Sequence, residues 1–248
     1  MLILGEAIET MRDMSVASVD HIITDPPYNL TGHEWDKDLD WGAWWRQASR
    51  LLHPGGNIIM FTAQPFTSFM LRCRGAIKFR YELIWIKSRP SGHLNTPHRP
   101  LQQHENILVF HAGNATYNPQ MGEGKPKGII NRKPTAGTTY GTENGATYVN
   151  NGERHPTTVL TYQSADRPVS HPTEKPLPLM THLVLTYTDA GQTILDPFMG
   201  SGTTGVAAAR EERQFIGIEL SPEYHAIAEQ RIGAAIAQPR LIPAGSPT

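Results

Sequence analysis

Thr193-Ile194-Leu195-Asp196-Pro197-Phe198-Met199-Gly200-Ser201-Gly202-Thr203-Thr204 decides the fold. Thr193 to Leu195 is a β-branched and aliphatic run suited to a buried strand. Gly200 and Gly202 let the backbone turn tightly and approach a ligand, and Thr203 opens a helix running to Arg210. That turn leaves amide N–H groups at a helix N-terminus facing whatever fills it. The next predicted strand, Phe215-Ile216-Gly217-Ile218-Glu219, ends on an acid. A carboxylate there can accept both hydroxyls of a ribose, as in nucleotide-binding βαβ units. Glu219 could instead serve the dipole of the following helix, 222–236, but helix capping would not need the glycine turn before it. No Gly-Lys-Ser/Thr follows the turn, so it is not a Walker loop.

Working outward, strands and helices alternate on both sides of an irregular middle. The spacing predicts strands at 19–24, 57–62, 81–86 and 105–110, with helices at 41–52, 65–74 and 176–188. Trp41, Trp44 and Trp45 recur at helical spacing and read as core, whereas Trp35 falls in a loop that could close over a bound base. Alternation of this kind implies an α/β fold, with a mostly parallel, doubly wound sheet covered on both faces. Ligands then bind at the carboxyl ends of strands. From His111 to Arg154 the pattern gives way to Gly, Asn, Thr and Lys, too long a stretch for an ordinary connection.

A second motif ends the strand at 19–24: Asp25-Pro26-Pro27-Tyr28. Two prolines stiffen the turn and remove two backbone donors, which leaves carbonyls available. An exocyclic amine offers two N–H bonds, and the Asp25 carboxylate and Pro26 carbonyl can accept them. Tyr28 can stack on a base withdrawn from a duplex. Alone, the tetrad could be a proline-rich turn; beside the glycine motif it points to chemistry.

Charge adds a partner. The net charge of −1 is uninformative, but from Ile86 to Pro156 eight cations face four acids, a local balance of +4 in an otherwise acidic chain. Lys125, Lys127, Arg132 and Lys133 are the candidate phosphate contacts. A solvated insertion that mediates dimerisation is the competing reading. One cysteine, Cys73, excludes an internal disulfide framework and fits a reducing cytoplasm. No secretory signal or membrane span is read from the sequence. His93, His98, His104 and His111 have no cysteine pairs beside them and match no zinc spacing, so no metal is expected.

Asp-Pro-Phe-x-Gly-Ser-Gly-Thr at 196–203 resembles the S-adenosylmethionine-binding motif I of amino-methyltransferases, and 218–224 resembles their motif II. The order matters. Asp-Pro-Pro-Tyr comes first, His171-Pro172-Thr173-Glu174-Lys175-Pro176 follows the middle, and the cofactor motif comes last. This permuted order resembles the β class of N6-adenine and N4-cytosine DNA methyltransferases, over about 1–87 and 168–236.

The resemblance implies a circularly permuted, Rossmann-like methyltransferase fold. Residues 1–87 would form the catalytic half, 88–167 an inserted irregular target-recognition lobe, 168–236 the cofactor half and 237–248 a flexible tail. It also implies methyl transfer from S-adenosylmethionine to adenine N6 in double-stranded DNA, by direct in-line transfer to a flipped-out base. Asp heads the tetrad, where N4 enzymes of this class more often carry Ser, so cytosine N4 is the alternative. RNA and protein-glutamine methyltransferases place the motifs in the other order, and a silent DNA-binding relative would not need both motifs intact. Asp25, Pro26, Pro27 and Tyr28 would hold the target amine and base. Phe198, Gly200, Ser201, Gly202, Thr203, Glu219 and Leu220 would line the cofactor pocket, with Asp196 supporting the loop. Thr173 and Lys175 would reach the methionine end of the cofactor; for Lys175 the plainer reading is a surface cation at a helix start.

Overall fold

A computed structural model of the chain describes residues 1–28, 39–131, 133, 135–138, 141–143, 145–163 and 174–238. In chain order its first elements are β1 (Leu2–Leu4), α1 (Ala7–Asp13), β2 (His21–Thr24), α2 (Trp41–Leu51), β3 (Asn57–Thr62) and α3 (Phe66–Cys73). Next come β4 (Lys78–Ser91), β5 (Gln102–His111) and six short strands, β6 (Gly122–Glu123), β7 (Gly128–Asn131), β8 (Thr135–Thr138), β9 (Gly141–Glu143), β10 (Thr147–Asn150) and β11 (Glu153–Arg154). The chain closes with β12 (Val159–Tyr162), α4 (Leu177–Tyr187), β13 (Thr193–Asp196), α5 (Thr203–Arg210), β14 (Gln214–Glu219) and α6 (Pro222–Ala237).

Eight strands make the main sheet, in the order β1-β14-β13-β2-β3-β5-β4-β12. Five of its pairings are parallel, and β5 runs antiparallel to both β3 and β4. Central strands such as Asn57–Thr62 are buried along their whole length because helices cover both faces. Alternate residues therefore go to different cores. Ile23, Ile59, Phe61, Ile107 and Val109 pack under α4, α5 and α6. Ile22, Ile58, Met60, Leu108 and Phe110 pack under α1, α2 and α3.

Helix α2 starts where Asp40 accepts the Ala43 N–H at 2.9 Å, and it buries Trp41, Trp44, Trp45, Ala48 and Leu51. From its last turn, Arg50 donates to the carbonyls of Met14 and Met11 at 2.7 and 2.6 Å, satisfying the exposed end of α1. Neither β1 nor α1 is evident from sequence, because a three-residue strand and a seven-residue helix show too little periodicity.

The chain divides into two compact units, 1–118 with 158–248, and 119–157. The smaller unit is narrower than the expected lobe of 88–167. The end of β4, all of β5 and β12 are strands of the main sheet, with Val159–Tyr162 paired in parallel to Ile84–Lys87. The smaller unit is not irregular either. It holds three antiparallel ribbons, β7 with β10, β6 with β11, and β8 with β9. Arg154 links two of its strand ends by donating to the Lys125 carbonyl at 2.6 Å and to Asn150 Oδ1 at 3.1 Å.

Candidate active site

Strands β14, β13 and β2 are parallel neighbours, so Glu219, Asp196 and Asp25 all fall at one edge of the sheet, the carboxyl edge. Asp196 is the centre of that edge. It accepts hydrogen bonds from the Thr24 hydroxyl at 2.8 Å, the Thr204 hydroxyl at 2.6 Å and the Phe198 N–H at 3.1 Å. Thr24 precedes the Asp-Pro-Pro-Tyr turn and Thr204 lies in the first turn of α5, so one buried carboxylate ties the two motifs together. Only 2% of Asp196 is exposed. Burial pushes its carboxyl up to about 6, against the pull of the three hydrogen bonds.

The glycine turn has the geometry that a close-approaching ligand needs. Gly200 and Gly202 take φ values of 53° and 82°, in the left-handed region. At Gly202 a Cβ would lie 2.9 Å from the Ala228 Cβ of α6, so the turn sits hard against that helix. Glu219 accepts the Gly200 N–H at 2.9 Å and the Ser221 N–H at 2.8 Å, one on each oxygen. Each oxygen keeps a second lone pair, which suits a carboxylate that must also meet a ribose. Leu220, next to it, is 58% exposed and offers an apolar surface at the mouth of the turn. These features fit a nucleoside cofactor such as S-adenosylmethionine.

Two expected pocket residues are buried at the turn. Ser201 is buried, and its hydroxyl and carbonyl accept from Arg231 of α6 at 2.7 and 2.8 Å. Thr203 is buried at the start of α5. Arg231 also donates to Glu174 at 2.6 Å, so it straps the turn to the segment before α4. No sequence signal marks that role, because a single arginine in an ordinary helix reads as surface. Thr173 lies outside the described residues.

In the Asp-Pro-Pro-Tyr turn, Tyr28 donates its hydroxyl to Asp25 Oδ1 at 2.7 Å. Its ring lies 5.1 Å from Phe66, which meets Trp41 edge-on at 5.0 Å, and Trp41 is 6.4 Å from Phe198 of the cofactor turn. Lys175 does not behave as a surface cation. It is 9% exposed and donates to Asp25 Oδ2, with Glu105 Oε2 3.6 Å away. Its ammonium also lies 5.1 Å from the centre of the Phe61 ring. Glu105, on β5, in turn meets Lys87 of β4 at 3.3 Å.

Burial alone would depress Lys175, but Asp25 and Glu105 outweigh it and hold the ammonium above the ordinary lysine range. Glu105 is pushed up by burial, yet Lys175 and Lys87 bring it below the usual carboxylate value. Asp25 stays raised, since burial and the Glu105 charge exceed the pull of Lys175. Lys175 is thus joined to the Asp-Pro-Pro-Tyr turn and to β5 through these contacts.

Lys125, Lys127 and Lys133 are exposed in the smaller unit, whereas Arg132 and Trp35 lie outside the described residues. Among the described residues no group of His, Cys, Asp and Glu could hold a metal ion, and no helix is long and apolar enough to cross a membrane.

A family model described as a DNA methylase of the N6/N4 type matches residues 19–230, nearly the whole chain. The chain belongs to this DNA methylase family. The methylase is 27% identical to the Type II methyltransferase M.HpaI of Haemophilus parainfluenzae, over 93% of this chain and 73% of that one. It is 26% identical to the DNA adenine methyltransferase YhdJ of Escherichia coli K12, over 94% of this chain and 83% of the relative. Among solved structures, the M1.HpyAVI–SAM complex superposes with a TM-score of 0.63 at 27% identity, covering 94% of this chain and 98% of that one. The permuted α/β architecture expected from the motif order is therefore that of an S-adenosylmethionine-dependent DNA methyltransferase.

Proposed function

We propose that the methylase transfers a methyl group to N6 of adenine in double-stranded DNA, acting on a base flipped out of the helix. The observation that carries this reading is the Asp25 carboxylate. It sits at the sheet edge one strand from the cofactor turn, linked to that turn through Thr24 and Asp196 and held by Tyr28 and Lys175. YhdJ, alike over nearly the whole chain and named an adenine methyltransferase, supports the choice of base.

S-adenosylmethionine, when bound, supplies an electrophilic methyl group on a sulfonium. Glu219, Leu220, Phe198 and the 200–202 backbone would hold it. Asp25 Oδ and the Pro26 carbonyl would accept the two amine hydrogens, which turns the nitrogen lone pair out of the base plane. Tyr28 and Phe66 would stack the base. As the amine nitrogen takes the methyl and the methyl–sulfur bond breaks, its electron pair remaining on sulfur as a neutral thioether, the Asp25 carboxylate would accept the amine proton and release it to solvent. Positioning and water exclusion can supply most of the acceleration, since no covalent enzyme intermediate is needed.

We place target recognition in residues 119–157 through Lys125, Lys127 and Lys133 with Arg132, in a monomer or homodimer. The activity suits the modification half of a restriction–modification pair in the cytoplasm. Single-molecule sequencing of DNA from cells expressing the protein reports the modified base and its context together. N6-methyladenine at a recurring sequence is expected; N4-methylcytosine alone would replace this reading with the cytosine one.

A further inference from the structure

The Asp25–Lys175 pair is already neutral, so the partly buried Glu105–Lys87 pair beside it is not required to balance charge. Burying charge is costly, and a surplus ion pair calls for a reason. Glu105 lies on β5 opposite Trp85 of β4. One of its oxygens, Oε1, meets Lys87 at 3.3 Å. The other, Oε2, is buried with no hydrogen-bond partner and lies 3.6 Å from the Lys175 ammonium. Charges thus alternate along a chain of four side chains from Asp25 through Lys175 and Glu105 to Lys87.

We propose that Glu105 is a positioning residue for methyl transfer, which shares the Lys175 ammonium and so keeps the Asp25 carboxylate available to accept the target amine. This rests on the reading of Asp25 as that acceptor. An ammonium bound to Asp25 alone would draw its lone pairs away from the amine and lower its basicity. A second carboxylate on the same ammonium divides that pull. The raised carboxyl of Asp25, to which Glu105 contributes, agrees with this division. The other ionisable groups that bear on Asp25 are Asp196 at the end of β13, which feels its charge, and Tyr28 in its own turn.

The test is the pH profile of single-turnover methyl transfer at saturating DNA and cofactor, for wild type, Glu105→Gln, Glu105→Asp and Lys87→Gln. Glu105→Gln should lose about tenfold in rate near neutral pH and move the acid limb to lower pH, because Asp25 becomes a weaker base. Glu105→Asp should restore part of the loss. Lys87→Gln should move the acid limb the other way, since Glu105 then leans on Lys175 alone. Cofactor dissociation constants within about threefold of wild type would show that the cofactor pocket is intact. A purely structural role would leave the acid limb in place. An unmoved limb in the folded variants, or shifts of Glu105→Gln and Lys87→Gln in one direction, would overturn the proposal. If Glu105→Gln fails to fold, an unmoved limb in Lys87→Gln is sufficient to overturn it. The acceptor reading itself fails by a different result, full activity in Asp25→Ala.

Discussion

Glu219 is bound on each carboxylate oxygen by a backbone N–H, of Gly200 on one side and Ser221 on the other. Glu219→Gln keeps one acceptor and removes the charge. The expected outcome is S-adenosylmethionine binding weakened by about 10–100-fold, the scale of one or two charge-assisted hydrogen bonds. Calorimetric titration checks this; an unchanged dissociation constant would leave Glu219 as a pin for the turn. Asp196 yields a pH dependence of stability. Its folded carboxyl, at about 6, is raised above the unfolded value, so the penalty for ionising it is absent at low pH and grows as pH rises through 6. Asp196→Asn, which cannot ionise, should therefore gain on wild type by roughly 1.4 kcal/mol between pH 5 and 7.5 in urea unfolding. No relative gain would mean that the native carboxyl titrates near its ordinary value. Both acids were legible in the sequence, since each ends a predicted strand at a motif. Glu105 was not. One acid ahead of an apolar run is an ordinary strand residue until Lys175 and Lys87 are brought against it from distant segments.

Between elements, the glycine turn depends on a helix that the motif does not include. Arg231 of α6 holds Ser201 and Glu174 at once, so two segments of the cofactor half are set by one side chain. Arg231→Met should weaken cofactor binding about tenfold while leaving the transfer rate at saturating cofactor close to wild type. A lower saturated rate with unchanged cofactor affinity would show that the strap acts on the reaction instead. Local signals found most elements of the main sheet because apolar runs of four to six residues are short-range features. The tryptophans of α2 were read correctly as core for the same reason. The ribbons of the smaller unit escaped that reading. Gly128–Asn131 and Thr147–Asn150 are four residues each, their Gly and Asn mask the alternation, and the pairing spans distant positions. The strand at 159–162 was hidden because its neighbour is β4, far away in sequence.

At the scale of the whole molecule, the chain divides into the unit that carries the candidate active site and the unit 119–157, on which the proposed DNA contacts fall. Neutralising Lys125, Lys127, Arg132 and Lys133 together should weaken DNA binding and flatten its salt dependence, since each lost phosphate contact removes released counterions. Cofactor affinity should stay at the wild-type value. Equal salt slopes with an altered sedimentation profile would transfer these residues to a dimer contact. The order of motifs, legible in the sequence, fixed the expected permuted architecture; the extent of the inserted unit was not legible, because the composition shift begins before the main sheet is complete. The central claim is that the Asp25 turn directs a methyl group to adenine N6. Its most direct test is incubation of unmethylated DNA with methyl-labelled S-adenosylmethionine and the purified methylase, followed by nucleoside mass spectrometry. Label in N6-methyldeoxyadenosine is expected with wild type and none with Asp25→Ala, while cofactor binding by that variant stays within a few-fold of wild type. Label confined to N4-methylcytosine, or equal label with Asp25→Ala, would contradict it.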